Sequence, residues 1–224
     1  MLLTIDKLLN AAQLDKIHEM LAQAEYEDGK VTAGMAAARV KNNQEMKLPP
    51  KALELLLRII MSTLGHNATF RGAALPLKMA DPIFARYQPG MTYGDHVDDP
   101  IMGGSGPKFR TDVSMTIFLN DADAYDGGEL VIRTTWGEKH VKLGAGDAVI
   151  YPSASVHRVD PVTRGERLVC VTWIQSLVRD AARRELLFEL GQAREVLLKS
   201  DPDSDATKQI DRSYVNLLRM WSNC

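Results

Sequence analysis

The sequence predicts a mainly β domain flanked by helices. Between residues 69 and 176, short runs of β-branched and aromatic residues alternate with turns that contain glycine or proline. On either side of this zone, apolar residues recur every three or four positions, which is the spacing of an amphipathic helix. Seven or more strands with glycine-rich turns are typical of a sandwich, a jelly roll or a barrel, and the pattern alone does not choose among them.

Residues 1–68 are predicted to be mainly helical and to cover one face of the β-structure. Asn10 and Gln13 have the spacing of a capping box, and apolar residues follow them at helical intervals. Pro50 is well placed to begin a second helix, since proline is tolerated in a first helical turn. The apolar residues between positions 53 and 64 would give this second helix a buried face.

The central zone supplies the predicted strands. The seven runs are residues 82–88, 113–119, 130–134, 140–143, 148–151, 156–160 and 167–174. Turn residues separate consecutive runs. We expect residues 1–176 to form one domain, made of a helical part at 1–68 and a β core at 69–176.

Residues 177–224 are predicted to form a C-terminal helical hairpin. Two apolar stripes with helical spacing flank the polar stretch 200–205. The stripes consist of Leu186, Leu190, Ala193 and Leu197 in the first helix, and Ile210, Tyr214, Leu217 and Trp221 in the second. The hairpin either packs on its own domain or offers a surface for a dimer or another partner.

The composition excludes several classes of protein. The 224 residues are 45% apolar and 25% charged, as in an ordinary globular domain. The net charge of −2 gives no electrostatic footprint for nucleic acid or an anionic membrane. Cys170 and Cys224 are too few for a disulfide framework and are expected to be reduced thiols. Because no signal peptide or membrane-spanning stretch is recognisable, we expect a cytoplasmic protein.

His96 and Asp98 are the first candidates for chemistry. On an extended segment, residues i and i+2 point to the same side, so this imidazole and this carboxylate face one point in space. The pair supplies two of the three ligands of the facial triad that holds non-haem Fe(II). His157, in an apolar run that follows a turn, is the candidate for the third ligand from a distant strand.

Arg167 is the candidate for binding a carboxylate near this metal. Residues 160–166 read as a turn, and strands paired antiparallel about Val162 would place Arg167 opposite His157. A guanidinium can grip a carboxylate through two parallel hydrogen bonds, which suits a metal-chelating keto acid. The alternative is a surface salt bridge with Glu166 or Asp160.

These residues resemble a known family, the 2-oxoglutarate- and Fe(II)-dependent dioxygenases. Within it the chain is similar to the prolyl/lysyl-hydroxylase-like branch, and more closely to the bacterial PKHD-type hydroxylases associated with iron uptake. Further segments occur in the family's order, namely Arg86-Tyr87, Gly90, residues 93–98, 114–120 and 127–130, and Tyr151-Pro152. The resemblance implies a double-stranded β-helix, which is a jelly roll, with N-terminal helices on one face and the C-terminal hairpin of the bacterial branch.

The resemblance also implies roles for individual residues. His96, Asp98 and His157 correspond to the iron ligands, and Arg167 corresponds to the residue that binds the distal carboxylate of 2-oxoglutarate. Tyr93 corresponds to a tyrosine that contacts the co-substrate. No catalytic residue is expected beyond the iron centre.

Two aromatic residues complete the implied site. Tyr87 and Trp173 match aromatic positions near it, and the alternative for both is a plain core residue. The implied cofactors are Fe(II), 2-oxoglutarate and O2, with L-ascorbate as a reductant. The substrate would be a small molecule or a protein side chain. The activity would be linked to iron homeostasis. Residues 99–111 would form a lid over the bound substrate. The hairpin would support a homo-oligomer.

Two other classes of protein remain open at this point. A cupin-like metal-binding module or a zinc hydrolase could use the same two histidines and carboxylate. Arg167 argues against a hydrolase, which needs no keto-acid clamp. The second class is an interaction protein that presents the hairpin to partners, and the intact ligand set argues against it.

Overall fold

The structure is a computed structural model that describes residues 1–104 and 106–223. Its five α-helices are α1 (Ala11–Leu21), α2 (Pro50–His66), α3 (Ala68–Ala74), α4 (Ala181–Ser200) and α5 (Asp205–Trp221). The strands before the predicted core are β1 (Leu3–Ile5), β2 (Glu25–Asp28), β3 (Lys41–Asn42) and β4 (Gln44–Lys47). The strands that follow are β5 (Pro76–Met79), β6 (Ile83–Tyr87), β7 (Thr92–His96), β8 (Ile101–Met102), β9 (Phe109–Arg110), β10 (Val113–Phe118), β11 (Tyr125–Gly127), β12 (Leu130–Thr134), β13 (Gly137–Val141), β14 (Ala148–Pro152), β15 (His157–Val159), β16 (Val162–Gly165) and β17 (Arg167–Ser176).

Two antiparallel sheets form the centre of the fold. The major sheet has the order β1-β14-β10-β17-β6-β4-β2, with β5 added alongside β17. The minor sheet has the order β13-β12-β15-β7-β3. Residues of both sheets, such as Val169 of the major and Ile132 of the minor sheet, share one apolar cluster, so the two sheets face each other.

The helices α1 to α3 pack on the outer face of the major sheet. Leu56, Ile60 and Leu64 of α2 are completely buried there and share a cluster with Ile117 of β10 and Cys170 of β17. Because side chains alternate along a strand, the neighbouring residues of β10 and β17 point inward, between the sheets. One face of the major sheet therefore packs against the helices. The other face borders the space between the two sheets, where a site can form.

The N-terminal part of the chain differs from the expectation of a mainly helical segment. The capping box of Asn10 and Gln13 is present and α2 begins at Pro50, as predicted. Residues 1–47 nevertheless contribute β1 to one edge of the major sheet, β2 and β4 to its other edge, and β3 to the minor sheet. The expectation of a mainly helical segment thus missed four short strands, because strands of two to four residues owe their conformation to distant partners rather than to a local pattern.

The predicted pairing of His157 with Arg167 is also wrong. Residues 162–165 form the strand β16, which pairs with β11, instead of lying in a turn. His157 lies in the minor sheet, where it pairs with Ile132 and His96. Arg167 lies in the major sheet, opposite Tyr87 of β6. The two residues approach the same space from facing sheets, and not across one hairpin.

The helices α4 and α5 form the predicted hairpin, with a different contact face on α4. Leu187 is the apolar residue of α4 that is fully buried, and it packs in a cluster with Val178, Leu75 and residues of α5. Leu186, a member of the predicted apolar stripe, is 50% exposed. The expected thiol Cys224 lies outside the described residues. None of the described helices is long and apolar enough to cross a membrane.

Candidate metal centre

Three ligating side chains converge in the space between the sheets. His96, Asp98 and His157 each offer an atom within 4.8 Å of the other two. The Asp98 Oδ1 atom lies 3.9 Å from His96 Nε2 and 3.7 Å from His157 Nε2. The three side chains are nearly buried, at 5–8% exposure. Two imidazoles and one carboxylate in this arrangement form a facial triad that suits a divalent metal.

The backbone of the minor sheet places these ligands. His96 ends β7 and His157 begins β15, and the two residues are directly paired in the antiparallel register. Directly opposed residues share a face of a sheet, so both imidazoles point inward. Asp98 follows two residues after His96 and lies on the same side, as the sequence predicted.

Both histidines are held in the form that binds a metal. His96 Nδ1 lies 2.8 Å from the carbonyl oxygen of Gly94, and His157 Nδ1 lies 3.0 Å from that of Ser155. A proton on each Nδ1 donates to the carbonyl, which leaves Nε2 free for a metal. Burial and the neighbouring His157 lower the pKa of His96 to about 4, so this imidazole is neutral at physiological pH.

Ser114 orients the carboxylate ligand and was not singled out from the sequence. Its hydroxyl donates to Asp98 Oδ2 and lies 2.8 Å from the Ser153 hydroxyl, while Asp98 Oδ1 faces the histidines. The signal in the sequence is a polar residue inside the apolar strand Val113–Phe118, at a position that alternation directs away from the helices.

Aromatic rings fix the planes of the two imidazoles. Tyr93 stacks on His96 with ring centroids 3.7 Å apart and planes 10° from parallel. Tyr151 contacts His157 edge-on, with centroids 5.1 Å apart. Tyr93 therefore packs against a metal ligand. It also lines the cleft, as the predicted contact with the co-substrate requires.

Arg167 is the least exposed of the charged residues described in the wall of the cleft. It is 1% exposed, and its guanidinium carbon lies 5.0 Å from the ring centroid of Tyr87 and 5.6 Å from that of Phe118. Tyr125 also adjoins it, and burial raises the pKa of that phenol although the guanidinium opposes the shift. Aromatic side chains thus pack against the cation.

The Arg167 guanidinium lacks a protein counter-ion. Within the described part of the chain, no carboxylate lies within salt-bridge distance of it, and Arg167 Nε has no hydrogen-bond partner. A buried cation without a counter-ion is costly. A ligand carboxylate would supply that counter-ion, so the triad and the guanidinium together fit a metal with a chelating dicarboxylate.

All the predicted site residues line one cleft. Trp173 and Tyr87 join His96, Asp98, His157, Tyr93 and Arg167 in its wall. The segment predicted as a lid contributes Met102, which lies in the short β8–β9 hairpin beside the cleft. Ser105 of that segment lies outside the described residues.

Comparison with known proteins identifies the family. A profile of the 2OG-Fe(II) oxygenase superfamily matches residues 82–175, and one of the PKHD-type hydroxylase C-terminal domain matches residues 180–223. A PKHD-type hydroxylase of Thioalkalivibrio sulfidiphilus is 51% identical over 223 residues, with 100% of both chains covered. The chain belongs to the PKHD-type hydroxylases. A PKHD-type hydroxylase of Synechococcus elongatus is 46% identical to this chain, and the match covers 99% of this chain and 100% of the other.

Solved structures confirm the fold of this hydroxylase. A prolyl-4-hydroxylase of Pseudomonas putida superimposes with a TM-score of 0.55 at 22% identity, covering 78% of this chain and 92% of that one. A viral collagen prolyl hydroxylase of Paramecium Bursaria Chlorella virus-1 also gives 0.55 at 19% identity, covering 78% and 96%. The predicted jelly roll with flanking helices is therefore confirmed.

Family membership decides between the classes that the sequence left open. As a member of the 2OG-Fe(II) oxygenase superfamily, the hydroxylase uses Fe(II) and 2-oxoglutarate, and His96, Asp98 and His157 form its facial triad. The cupin-like module, the zinc hydrolase and the interaction protein are set aside.

Proposed function

We propose that this hydroxylase couples decarboxylation of 2-oxoglutarate to hydroxylation of a C–H bond in a small molecule or a protein side chain. The observation that carries the proposal is the buried, unpaired Arg167 in the same cleft as the facial triad. When bound, Fe(II) and 2-oxoglutarate supply the oxidising chemistry with O2, and the protein supplies position and seclusion.

The residues of the cleft divide this task. Two neutral imidazoles and one carboxylate leave one positive charge on a divalent metal, which favours a dianionic co-substrate. Arg167 adds a second fixed charge for the distal carboxylate, in surroundings where ion pairing is stronger than in water. Tyr87 packs against this guanidinium, and Tyr93 and Trp173 bound the space beside the metal.

Replacing Arg167 tests the proposal. Removal of one partner of a buried ion pair costs roughly 3–5 kcal/mol. We therefore expect Arg167→Ala to raise the half-saturating 2-oxoglutarate concentration about a hundredfold or more. Arg167→Lys should recover part of the loss, because the charge survives without the planar fork. Succinate release against co-substrate concentration measures this, alongside Fe(II) titration, which should be nearly unchanged.

The exposed Arg164 offers a matched control. Its guanidinium is 59% exposed and paired with Asp126, so Arg164→Ala should leave co-substrate affinity as it is. A half-saturating concentration within about twofold of wild type for Arg167→Ala would reject the clamp, since about 1.4 kcal/mol already corresponds to tenfold.

The biological setting is a further part of the proposal. We propose a role in iron homeostasis with L-ascorbate as a reductant, supported by the resemblance of the chain to hydroxylases associated with iron uptake. Expression under iron limitation and succinate release with and without ascorbate test the two parts. Expression that does not respond to iron would overturn the first, and ascorbate-independent turnover would overturn the second.

We also propose that the α4–α5 hairpin supports self-association. It leaves large apolar side chains exposed, among them Val196 at 65% and Met220 at 73%. Light scattering of wild type against Val196→Glu and Met220→Glu tests this, and an identical mass for all three proteins would overturn it.

A further inference from the structure

A buried ion pair lies in the wall of the cleft and has no part in holding the metal or Arg167. Lys41 Nζ lies 2.5 Å from Glu45 Oε1, and the two side chains are 9% and 7% exposed. Thr32 completes the cluster, since its hydroxyl donates to Glu45 Oε1 at 2.6 Å and accepts from Lys41 Nζ at 3.1 Å. All three residues line the same cleft as the facial triad.

The pair stands close to the metal ligands. Lys41 in β3 is registered against Tyr93 in β7, and its Nζ lies 5.4 Å from the Tyr93 ring centroid. The same ring stacks on His96 at 3.7 Å. Glu45 in β4 is registered against Ala85 of the major sheet, so residues 41–45 cross from one sheet to the other beside the site.

A buried ion pair is weak evidence for a role in stability. Two charges taken out of water lose much of their solvation, and apolar residues of similar size in their place are often neutral or stabilising. The pair also keeps unused hydrogen-bonding capacity. Lys41 Nζ uses two of its three protons, and in the described part of the chain both donors to Glu45 reach Oε1, which leaves Oε2 available.

The charges of the loaded cleft indicate what could bind there. Lys41 and Glu45 neutralise each other. The metal with its triad and Arg167 together carry two positive charges, which match the two carboxylates of 2-oxoglutarate. Asp99 also lines the cleft, but it is exposed to solvent. A charged substrate group buried beside the pair would therefore find no buried counter-charge, and burying it would be costly.

We propose that Lys41 and Glu45 recognise a neutral amide group of the substrate, an inference that rests on the proposed function. The amide carbonyl accepts from the free proton of Lys41, and the amide N–H donates to Glu45 Oε2. An amide meets both demands through separate atoms, whereas a hydroxyl has one oxygen for both. The substrate would thus be an amide-bearing small molecule or side chain whose reacting C–H lies on the metal side of the pair.

Paramagnetic relaxation of small probes tests this without a known substrate. The full chain is loaded with Mn(II) and 2-oxoglutarate, and the methyl protons of acetamide, acetate, methylammonium and ethanol are followed by NMR. Hydrogen bonds to charged groups are the stronger ones, so we expect acetamide to bind about tenfold more tightly than each other probe. Equal relaxation of all four probes, or a larger effect of a charged one, would overturn the proposal.

Paired substitutions link the effect to these residues. Lys41→Met/Glu45→Leu removes both charges together, which avoids an unpaired buried charge, and circular dichroism checks that the protein is folded. Acetamide affinity should fall about tenfold in this variant. The matched control is Lys47→Met/Glu27→Leu, which removes an exposed lysine–glutamate pair with a 3.9 Å separation and should leave the affinity unchanged.

The same samples separate this proposal from the proposed function. Relaxation of the 2-oxoglutarate methylene protons reports co-substrate binding near the metal. If these protons are not relaxed, the proposed function fails. If they are relaxed and acetamide binds the Lys41→Met/Glu45→Leu protein as well as wild type, amide recognition alone is overturned.

Discussion

The position of Arg167 depends on a glycine in the facing part of the fold. Gly128 has φ of +66°, and a Cβ atom there would lie 3.1 Å from Arg167 Cδ and 2.9 Å from Val162 Cγ2. A side chain at this position would therefore be strained and would also push on the guanidinium stem. In the sequence, Gly127-Gly128 indicates only a turn. The structure shows that the absence of a side chain at Gly128 leaves space for Arg167.

We predict that Gly128→Ala weakens 2-oxoglutarate binding more than metal binding. In the displaced Arg167, the guanidinium would no longer be aligned with the co-substrate carboxylate. Each charge-assisted hydrogen bond lost costs about 1.5–3 kcal/mol, so the affinity for 2-oxoglutarate should fall about tenfold or more. Gly90→Ala is the control, because Gly90 has φ of +86° and a methyl group added there would meet no atom of the described chain within 4 Å beyond its sequence neighbours. Equal co-substrate affinities in these two variants would contradict the prediction.

Ser114 acts on the metal through Asp98. We predict that Ser114→Ala lowers Fe(II) affinity about tenfold or more, the usual effect of losing a group that orients a ligand. Ser155→Ala is the control, since Ser155 holds His157 through its backbone carbonyl, which the substitution keeps. Calorimetric Fe(II) titration under anaerobic conditions measures both, and an unchanged affinity for Ser114→Ala would show that Asp98 needs no such support.

At the scale of elements, a buried arginine helps to fasten the C-terminal hairpin to the β core. Arg184 of α4 is 4% exposed and donates to the carbonyl oxygens of Val178 and Arg179 at 2.8 Å and to that of Asp112 at 3.3 Å. Asp112 directly precedes β10, which carries Ser114. The hairpin is thus connected to the strand that supports the metal centre.

We predict that Arg184→Ala lowers the free energy of unfolding by about 2–3 kcal/mol, because buried carbonyl groups lose their donors. Urea denaturation measures the change. Arg212→Ala, at an exposed position of α5, should change stability by less than about 0.5 kcal/mol. A loss below about 1 kcal/mol for Arg184→Ala would mean that apolar contacts alone hold the hairpin, since one unsatisfied buried group already costs that much.

At the scale of the whole molecule, the metal ligands and the arginine proposed to bind the co-substrate belong to different sheets. The triad residues come from β7, β15 and the segment after β7, all in or next to the minor sheet, whereas Arg167 belongs to the major sheet. A co-substrate that chelates the metal and pairs with Arg167 would therefore join the two sheets. Ligands that bind only the folded state stabilise it by mass action.

We predict an additional rise in Tm when 2-oxoglutarate is added to the Mn(II)-loaded protein. At a hundred times its Kd, the ligand contributes about 2.7 kcal/mol, which corresponds to about 5–10 °C for a chain of this size. In Arg167→Ala the Mn(II) increment should persist, and the 2-oxoglutarate increment at the same concentration should fall to about 2 °C or less. Differential scanning calorimetry measures both, and a full 2-oxoglutarate increment in the variant would contradict the bridging role.

The metal ligands were predictable from the sequence because their geometry is mostly local. The i, i+2 spacing of His96 and Asp98 fixes a shared side on any extended segment, and the strand containing His157 is readable from its apolar run. The capping box at Asn10 and the start of α2 at Pro50 are local signals of the same kind. Except for His157, which joins the other two ligands from a distant strand, the interacting groups lie within a few residues, so the chain itself sets their distance.

Strand pairing was decided by the tertiary structure alone. Alternation tells which residues of a strand point inward, but not which distant strand lies beside it, because pairing depends on contacts between residues far apart in the chain. For this reason Arg167 was correctly placed in the cleft and wrongly paired with His157, and β2, β3 and β4 were missed. The Lys41–Glu45 pair was not predictable for the same reason, since its surroundings exist only once residues 41–45 cross between the two sheets.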